Sequence, residues 1–425
     1  MKILKYPTKN TWSKLLKRPR FDTASLENSV NSILSNVKQN GDLAVKKYTA
    51  QFDTVEIKTT LVFKKEFEEA EKLCSLELKN AIRLAKKNIE KFHKSQKEKV
   101  KIIETTKGVN CWRRSVGIEK IGLYIPGGSA PLFSTVLMLG IPAKLAGCKE
   151  IILCSPPNAN GKLDSAILFT AKLIGITQLY KIGGVQAIAA MAYGTETVPQ
   201  VYKIFGPGNQ YVTCAKQLVN KNGTAIDMPA GPSELTILAD ENCIPAFVAA
   251  DLLSQAEHGE DSQVILVSDN KKTLSLVLKE VEKQLIVLPR RSIAEKALQN
   301  SKAILVKNKI EAIELINYYA PEHLIIACKK EDEIALQIIN AGSVFIGNYS
   351  CESAGDYASG TNHTLPTNGY AKAYSGVSLD SFVKKITYQK ITKKGINNIG
   401  PAIELMAEAE GLQAHKNAVT LRLKK

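Results

Sequence analysis

A glutamine and a histidine, Gln255 and His258, lie three residues apart at the end of an apolar helical pattern in the segment Asp251–Asp261. Side chains at this spacing on a helix leave one face in adjacent turns, so both are predicted to reach one small ion or ligand. A histidine near a helix end is also a common surface residue that compensates the helix dipole. The pair alone leaves a metal site and a structural role both open.

Four of the five histidines lie in polar, glycine-containing segments, and carboxylates accompany three of them. The pairs are Glu322 with His323, Asp356 with His363, and Glu410 with His415. Neutral imidazole and carboxylate are ligand types that zinc favours, and a histidine beside a glutamate suits acid/base catalysis near neutral pH. Capping or surface roles are the alternative for these residues.

Glycine-rich junctions join strand-like runs to helix-like runs at Tyr124–Ala130, Ile182–Gln186 and Phe205–Gln210. Glycine lets the backbone approach a ligand, and the following helix N-terminus offers free N–H groups to an anion. None of the three is a GxGxxG fingerprint or a Walker loop, and each also suits a tight turn. Together they favour a ligand at the carboxyl ends of the strands.

Strand-like and helix-like segments alternate from about Arg113 to about Tyr370, after helical patterns that fill the first hundred residues. The predicted strands are Lys120–Ile125, Glu150–Cys154, Leu179–Ile182, Leu235–Ala239, Gln263–Val267, Ala303–Val306, Leu324–Ala327 and Ser343–Ile346. The early helices are predicted from Asp22–Thr23 to about Gly41, over Asp42–Phe52 and over Lys64–Lys97. This alternation predicts an α/β protein with two mostly parallel, Rossmann-like but incomplete sheets and small helical elements at both termini.

The composition is that of a globular protein of two or three domains, with 425 residues, 44% hydrophobic and 23% charged. Of the net charge of +16, residues 1–100 carry +10, from 22 basic and 12 acidic residues. Both signs alternate at helical spacing between Lys64 and Lys99, which is typical of a solvated helix face and disfavours nucleic-acid binding. Eight cysteines without a CxxC pair, no signal-like N-terminus and no apolar run of membrane-spanning length predict a cytoplasmic protein without a membrane anchor.

Five motifs occur in order along most of the chain. They are Phe205–Asn209 (FGPGN), Asp227–Glu234 (DMPAGPSE), Ser254–His258 (SQAEH), Ala320–His323 (APEH) and Ala354–Pro366 (AGDYASGTNHTLP). In this combination the chain resembles the histidinol dehydrogenase family. The resemblance implies oxidation of L-histidinol to L-histidine through the aldehyde, in the last steps of histidine biosynthesis, with two NAD and one zinc ion per subunit.

Residue roles follow from the resemblance position by position. Gln255, His258, Asp356 and His415 would hold the zinc ion, and Glu322 and His323 would be the catalytic acid/base pair. Ser233, Gln255, His258, His323, Asp356, His363, Glu410 and His415 would surround the substrate, and Tyr124, Gln186 and Asn209 would face NAD. The family's site forms across a homodimer, so Glu410 and His415 would act in the partner subunit's site.

The expected domain organisation has four parts. Residues 1–23 would be a helical extension, 24–123 and 230–370 a discontinuous α/β domain carrying the metal and acid/base residues, 124–229 the NAD-binding domain, and 371–425 a helical dimerisation element. Cys351 stands where proline is expected in many relatives, and packing is favoured over metal contact for its thiol.

Zinc has no redox chemistry, so NAD must accept the electrons, His323 would take the alcohol proton, and Glu322 would activate water for the second oxidation. Two other classes of protein stay open: a zinc hydrolase, which would not need the glycine-rich junctions, and a basic RNA-binding module, which would survive loss of His258. A catalytic cysteine for the second step is disfavoured, because no cysteine lies beside a histidine or lysine in a glycine-rich turn.

Overall fold

The computed structural model describes residues 1–19, 23–127, 131–229 and 231–424. Its strands are β1 (Lys2–Lys5), β2 (Ile103–Thr106), β3 (Val109–Gly117), β4 (Lys120–Tyr124), β5 (Glu150–Ser155), β6 (Gln178–Lys181), β7 (Lys203–Phe205), β8 (Ala225–Ile226), β9 (Glu234–Ala239), β10 (Gln263–Ser268), β11 (Lys302–Leu305), β12 (His323–Ala327), β13 (Ser343–Ile346) and β14 (Val383–Ile391).

The helices are α1 (Trp12–Leu15), α2 (Thr23–Phe52), α3 (Lys64–Leu73), α4 (Leu76–Lys94), α5 (Phe133–Ala146), α6 (Ser165–Leu173), α7 (Gly184–Tyr193), α8 (Gln210–Lys221), α9 (Pro245–Ala256), α10 (Lys271–Leu285), α11 (Arg291–Asn300), α12 (Lys309–Tyr319), α13 (Glu331–Ala335), α14 (Glu352–Tyr357), α15 (Lys393–Ala409) and α16 (Gln413–Leu423).

Two parallel sheets form the body of the molecule. The five-stranded sheet has the order β6-β5-β4-β7-β8, and the six-stranded sheet has the order β1-β11-β10-β9-β12-β13. A third, antiparallel sheet joins β14, β3 and β2. The predicted α/β class with two parallel sheets is confirmed, and all eight predicted strands are present within one or two residues of their expected bounds.

Both faces of each parallel sheet are covered by helices, and this explains why the strands read as continuous apolar runs. In β10, for example, Val264 and Leu266 pack towards α9, α10 and α11, whereas Ile265 and Val267 pack towards α1, α12 and α13. Successive side chains of a strand point to opposite faces, so each strand feeds two apolar cores. The five-stranded sheet is built in the same way between α3 to α6 on one face and α2, α7 and α8 on the other.

The expectation of a wholly helical tail was wrong for Val383–Ile391, which forms β14 antiparallel to β3. Its pattern of exposed and half-buried side chains carries little apolar periodicity, so the strand depends on backbone pairing with a segment far away in sequence. The expected helical extension over residues 1–23 was also wrong at its start. There Lys2–Lys5 adds an edge strand to β11, and α1 has only four residues.

Gly41 breaks α2 into two helices, as the predicted helix end near this residue required. Its backbone angles, φ 50° and ψ −131°, are not helical, and the next residue, Asp42, donates its backbone N–H to Glu196 Oε2 at 2.7 Å. A side chain at Gly41 would meet the Glu196 carboxylate, so glycine fits both the space and the positive φ. The predicted N-terminal cap at Asp22 lies outside the described residues.

The helix α2 packs against α7 and α8, α3 packs against α6, and α4 packs against α5. All four of these partner helices flank the five-stranded sheet. The strand β4, which begins at Lys120, belongs to the same sheet. The expected domain boundaries stay a prediction. From these contacts we propose that residues 24–119 go with the five-stranded sheet rather than with residues 230–370.

All eight cysteines are free, and six of them are buried. In the described part of the chain, no helix has both the length and the apolar character needed to cross a lipid bilayer.

Candidate functional site

A cleft of about 610 Å³ runs between the two parallel sheets. On one side it is lined by Gly208 and Asn209, which follow β7 at the carboxyl end of the five-stranded sheet. On the other side it is lined by Ser233 and His258, which precede β9 and β10 at the amino end of the six-stranded sheet. The cleft therefore adjoins the carboxyl end of the first sheet, where a ligand was expected, and the amino end of the second sheet.

Three side chains that can bind a metal ion converge beside this cleft. One ligand atom from each of His258, Glu352 and Asp356 lies within 4.8 Å of the others. Gln255 is fully buried, and neither atom of its amide has a hydrogen-bond partner among the described residues. A buried amide without a partner costs roughly 1–3 kcal/mol, which a bound ion or ligand would recover. Two members of the ligand set implied for zinc, His258 and Asp356, are thus brought together, with Glu352 in addition.

Local chain geometry explains how these side chains meet. The helix α9 ends at Ala256, and the backbone N–H of His258 still donates to the carbonyl of Gln255 at 3.3 Å, so His258 lies just beyond the helix rather than on it. Glu352 and Asp356 are four residues apart within α14 and share one face. Burial raises the pKa of Asp356 to about 7 and that of Glu352 well above its ordinary value.

Glu322 and His323 lie side by side at the amino end of β12, and both are buried. The peptide groups of Glu234 hold them in place. The N–H of Glu234 donates to Glu322 Oε2 at 2.8 Å, and its carbonyl lies 3.3 Å from His323 Nδ1. Burial raises the pKa of Glu322 well above its usual range and lowers the pKa of His323 to about 3.

The hydrogen bond at Nδ1 decides which nitrogen of His323 can accept a proton. A carbonyl oxygen only accepts, so Nδ1 carries the hydrogen and Nε2 keeps its lone pair. Nε2 is buried, has no hydrogen-bond partner among the described residues, and lies 3.8 Å from Asp356 Oδ1. His323 is therefore a neutral imidazole whose basic nitrogen faces the metal-type cluster, by which we mean His258, Glu352 and Asp356.

His363 is held more completely by its own chain. Its Nδ1 donates to the backbone carbonyl of Asp356 at 3.0 Å, and its Nε2 lies 3.1 Å from Thr135 Oγ1. Burial lowers the pKa of His363 to about 4. The ring also stands beside the Asp356 carboxylate, with 4.0 Å between Nδ1 and Oδ1. His363 thus borders the cluster and bonds to the last turn of α14, which carries Asp356.

The three residues expected to face NAD line the carboxyl end of the five-stranded sheet. The hydroxyl of Tyr124 accepts the N–H of Gly184 at 3.1 Å, at the start of α7. Gln186 is fully buried with both amide atoms unpartnered in the described chain. Asn209 caps α8 by accepting from the N–H groups of Tyr211 and Val212, so its side chain has a structural role in addition to lining the cleft.

Glu410 and His415 are the predicted site residues that this chain does not bring to the cluster. Both are exposed on the hairpin of α15 and α16, which packs on itself and on β14 and β2. Sequence reasoning also missed Glu352, whose signal was its spacing of four residues from Asp356. It missed Glu234 as well, because only the pairing of β9 with β12 reveals what its peptide groups hold.

Two Rossmann-like parallel sheets, with glycine-rich junctions on one and a buried glutamate–histidine pair on the other, indicate an α/β enzyme with acid/base residues beside a ligand cleft. A family model for histidinol dehydrogenase matches residues 16–423. The chain belongs to the histidinol dehydrogenase family.

Similar proteins extend over the whole chain. The histidinol dehydrogenase of Bacteroides fragilis is 63% identical over 423 residues, covering 100% of this chain and 99% of that protein. The chloroplastic histidinol dehydrogenase of Arabidopsis thaliana is 51% identical over 413 residues, covering 96% of this chain and 88% of that protein. A crystal structure of histidinol dehydrogenase from Elizabethkingia anophelis matches with a TM-score of 0.98 and 58% identity, covering 100% of this chain and 98% of that chain.

Proposed function

We propose that this chain oxidises L-histidinol to L-histidine through a bound aldehyde, with two NAD molecules as electron acceptors and one zinc ion per subunit. The observation that carries the proposal is the pairing of a neutral, buried His323 with the cluster of His258, Glu352 and Asp356, in a chain of the histidinol dehydrogenase family. The relatives named above act, by their names, on histidinol.

The proposed metal ligands from this chain are Gln255, His258 and Asp356. The unpartnered Gln255 amide and the convergence of an imidazole with carboxylates support this set. When bound, zinc would bind and orient the imidazole and amine of the substrate and polarise its reacting group, without accepting electrons. Glu352 faces the same space, and we propose that its carboxylate accepts hydrogen bonds from the substrate's amine.

The first oxidation uses His323 as the base. Its unprotonated Nε2 would accept the proton of the alcohol hydroxyl, and NAD, when bound, would supply the acceptor for the hydride of the carbon that carries this hydroxyl, which gives the aldehyde. The lowered pKa of His323 keeps the imidazole neutral at physiological pH, so the base is in its active form before the substrate binds. The Glu234 carbonyl keeps the proton on the other nitrogen.

The second oxidation needs water and a second base. Glu322 is proposed to take a proton from the water that adds to the aldehyde carbon. A second NAD, when bound, would accept the hydride of the hydrated carbon, and the remaining acidic proton would leave to solvent, which gives the carboxylate. A carboxylate whose pKa is raised by burial is a stronger base than an exposed one. A catalytic thiol is disfavoured, because burial raises the pKa of Cys214, the cysteine that lines the cleft.

We propose that Tyr124, Gln186 and Asn209 contact NAD. Gln186 supports this role through a buried amide that lacks a protein partner in the described chain, and Asn209 through its place on the cleft wall at the start of α8. Ser233 lies across the same cleft and is proposed to contact the substrate, together with the metal-type cluster and His363.

A homodimer would complete the site with Glu410 and His415 of the partner subunit. The C-terminal hairpin exposes large apolar side chains that a second copy would cover, with Leu405 at 69% and Met406 at 66% exposure. In this arrangement His415 would be the fourth metal ligand and Glu410 a substrate contact. The free, mostly buried cysteines support a reducing compartment, and we propose a cytoplasmic location.

The test is NADH formation at 340 nm from L-histidinol, with wild type, His258→Ala and Glu322→Gln, each before and after chelation. The wild type should form two NADH per histidinol, and both the chelator and His258→Ala should abolish this. Glu322→Gln should slow the second oxidation far more than the first, so that added histidinaldehyde is oxidised poorly. Full activity of metal-free enzyme would refute the zinc site, and no NADH from folded wild type would favour the hydrolase or binding-module alternatives.

Mixed dimers test the contribution of the partner subunit. Mixing His258→Ala with His415→Ala subunits after dissociation should restore activity to about a quarter of the wild-type value, because half of the dimers then hold one intact site. If each site is formed within one chain, the mixture would stay as inactive as its parents.

A further inference from the structure

Asp53 follows the last residue of α2 and brings a carboxylate to the glycine-rich junction between β6 and α7. A Cβ atom built on Gly183 would lie 3.2 Å from Asp53 Oδ1 and 2.5 Å from Pro156 Cβ, so the three residues are in contact. Pro156 directly follows β5. The carboxylate therefore lies at the carboxyl ends of two neighbouring strands, on the side of the sheet where we propose that NAD binds.

This position has a known use in dinucleotide-binding sheets. There, an acidic residue near the end of the second strand accepts hydrogen bonds from the adenosine ribose. In this sheet the order β6-β5-β4 makes β5 the second strand of its half, but the residues at its end are Ser155 and Pro156, neither of which is acidic. Asp53 brings a carboxylate to that place from a different element.

Three side chains around the junction keep buried polar atoms without a hydrogen-bond partner in the described chain: Asp53 Oδ2, Ser155 Oγ and both amide atoms of Gln186. Buried polar groups in folded proteins are nearly always paired, so a cluster of unpaired ones indicates a missing polar ligand. Burial also raises the pKa of Asp53 to about 6. The chain retains a carboxylate where its own packing disfavours one.

We propose that Asp53 accepts hydrogen bonds from the adenosine ribose hydroxyls of the cofactor and so selects NAD against NADP. The inference rests on the proposed NAD-dependent function and adds to it the residue that sets cofactor specificity. A carboxylate accepts from two vicinal hydroxyls, whereas it repels the phosphate that replaces one of them in NADP. Gln186 and Ser155 supply neutral polar groups beside it, which do not offset this repulsion.

The test compares kcat/KM for NAD and NADP in the wild type, Asp53→Asn and Asp53→Ser, with Asp332→Asn as a control for an exposed aspartate on α13. Loss of charge-assisted hydrogen bonds should raise KM for NAD by about 10- to 100-fold in both variants and change kcat by less than about threefold. The preference for NAD over NADP should fall by about the same factor. The control should match the wild type.

An unchanged KM for NAD in folded Asp53→Asn would overturn the inference. An equal loss for NAD and NADP would overturn the specificity role, because removing the charge should help the phosphorylated cofactor. Calorimetric titration of the enzyme with NAD alone distinguishes a failure of the Asp53 inference from a failure of the proposed function. If wild type binds NAD and Asp53→Asn binds it at least tenfold more weakly, the inference holds even when histidinol gives no NADH; equal binding by both would reject it.

Discussion

Replacing Arg18 by methionine should destabilise the protein and slow catalysis, although Arg18 is not part of the cluster of His258, Glu352 and Asp356. The guanidinium of Arg18 donates two hydrogen bonds to the Glu234 carboxylate, from Nε to Oε1 at 2.5 Å and from Nη2 to Oε2 at 2.8 Å. It also stacks on Tyr319, with 3.8 Å from its central carbon to the ring centroid. The side chains of the pair are only 15% and 2% exposed.

The magnitude follows from the burial of the pair. Removing one partner of a buried ion pair costs roughly 3–5 kcal/mol, because the remaining charge has no compensation. Burial raises the pKa of Glu234 even beside the guanidinium, so in Arg18→Met this carboxylate should take up a proton. A carboxyl group whose pKa is higher in the folded than in the unfolded protein lowers the free energy of unfolding as the pH rises towards and through that folded pKa. The loss should therefore be about 3 kcal/mol or more at pH 8 and smaller at pH 6.

Urea unfolding at one fixed protein concentration measures the effect, with the double variant Arg18→Met/Glu234→Gln to isolate the charge. The neutral amide removes the unpaired charge, so the double variant should recover about 2 kcal/mol relative to Arg18→Met. The control is Lys296→Met, which breaks a surface pair with Glu260 whose side chains are both 57% exposed. That change should cost less than about 1 kcal/mol.

Catalysis should fall as well, because the peptide groups of Glu234 hold both Glu322 and His323. Small displacements of a catalytic group reduce rates by up to about 100-fold, so kcat for Arg18→Met should fall roughly 10- to 100-fold, with KM for histidinol changed less. A loss of stability below 1 kcal/mol, or a double variant as unstable as the single one, would refute the reasoning about the charge. A wild-type kcat in the destabilised variant would refute the positioning role.

Three further predictions concern single residues. His258→Ala and Gln255→Ala should each weaken zinc binding at least about 10-fold, measured as zinc per chain after dialysis; retention of one zinc per chain by both would contradict the ligand set. Without NAD, Asp53→Asn should match the wild type in unfolding free energy near pH 4 and exceed it by about 1–2 kcal/mol at pH 8. The pKa of Asp53 in the folded protein, about 6, lies above its ordinary value of 3.8, so ionisation of this carboxyl costs folding free energy at pH 8. The side chain is only half-buried, so solvent reduces this cost. Equal stability of the two proteins at pH 8 would contradict the cost of the buried charge. Cys351→Ser should keep kcat within about twofold and bind zinc normally, whereas zinc loss would show that the thiol is a ligand.

Residues close together in sequence were predictable, because their geometry follows from local rules. The apolar runs of β9 and β10 predicted buried parallel strands, and the glycines at Gly183 and Gly184 predicted a strand-to-helix junction. Gln255 and His258 were recognisable as a pair because they stand three residues apart at the end of an apolar helical pattern, although His258 lies just beyond α9. The same spacing rule applied to Glu352 and Asp356 would have found the missed carboxylate.

Polar strands could not be predicted in the same way. The strand β14 has no apolar periodicity, and the edge strand β1 has lysines at both ends, so neither carries the pattern that marks a buried strand. Each exists because a partner strand, β3 or β11, offers unpaired backbone groups at that place. The partner lies hundreds of residues away, and local propensity contains no information about it.

The sequence by itself determined the fold class, the family and most of the side chains that the cleft gathers, because motif spacing and strand periodicity are local properties. Only the tertiary structure decided that Glu234 clamps Glu322 and His323, that Arg18 anchors Glu234, and that Asp53 reaches the end of β5. These contacts join residues separated by about 90 to more than 200 positions. Whether a buried polar atom lacks a partner depends on every neighbour that the folded chain places around it.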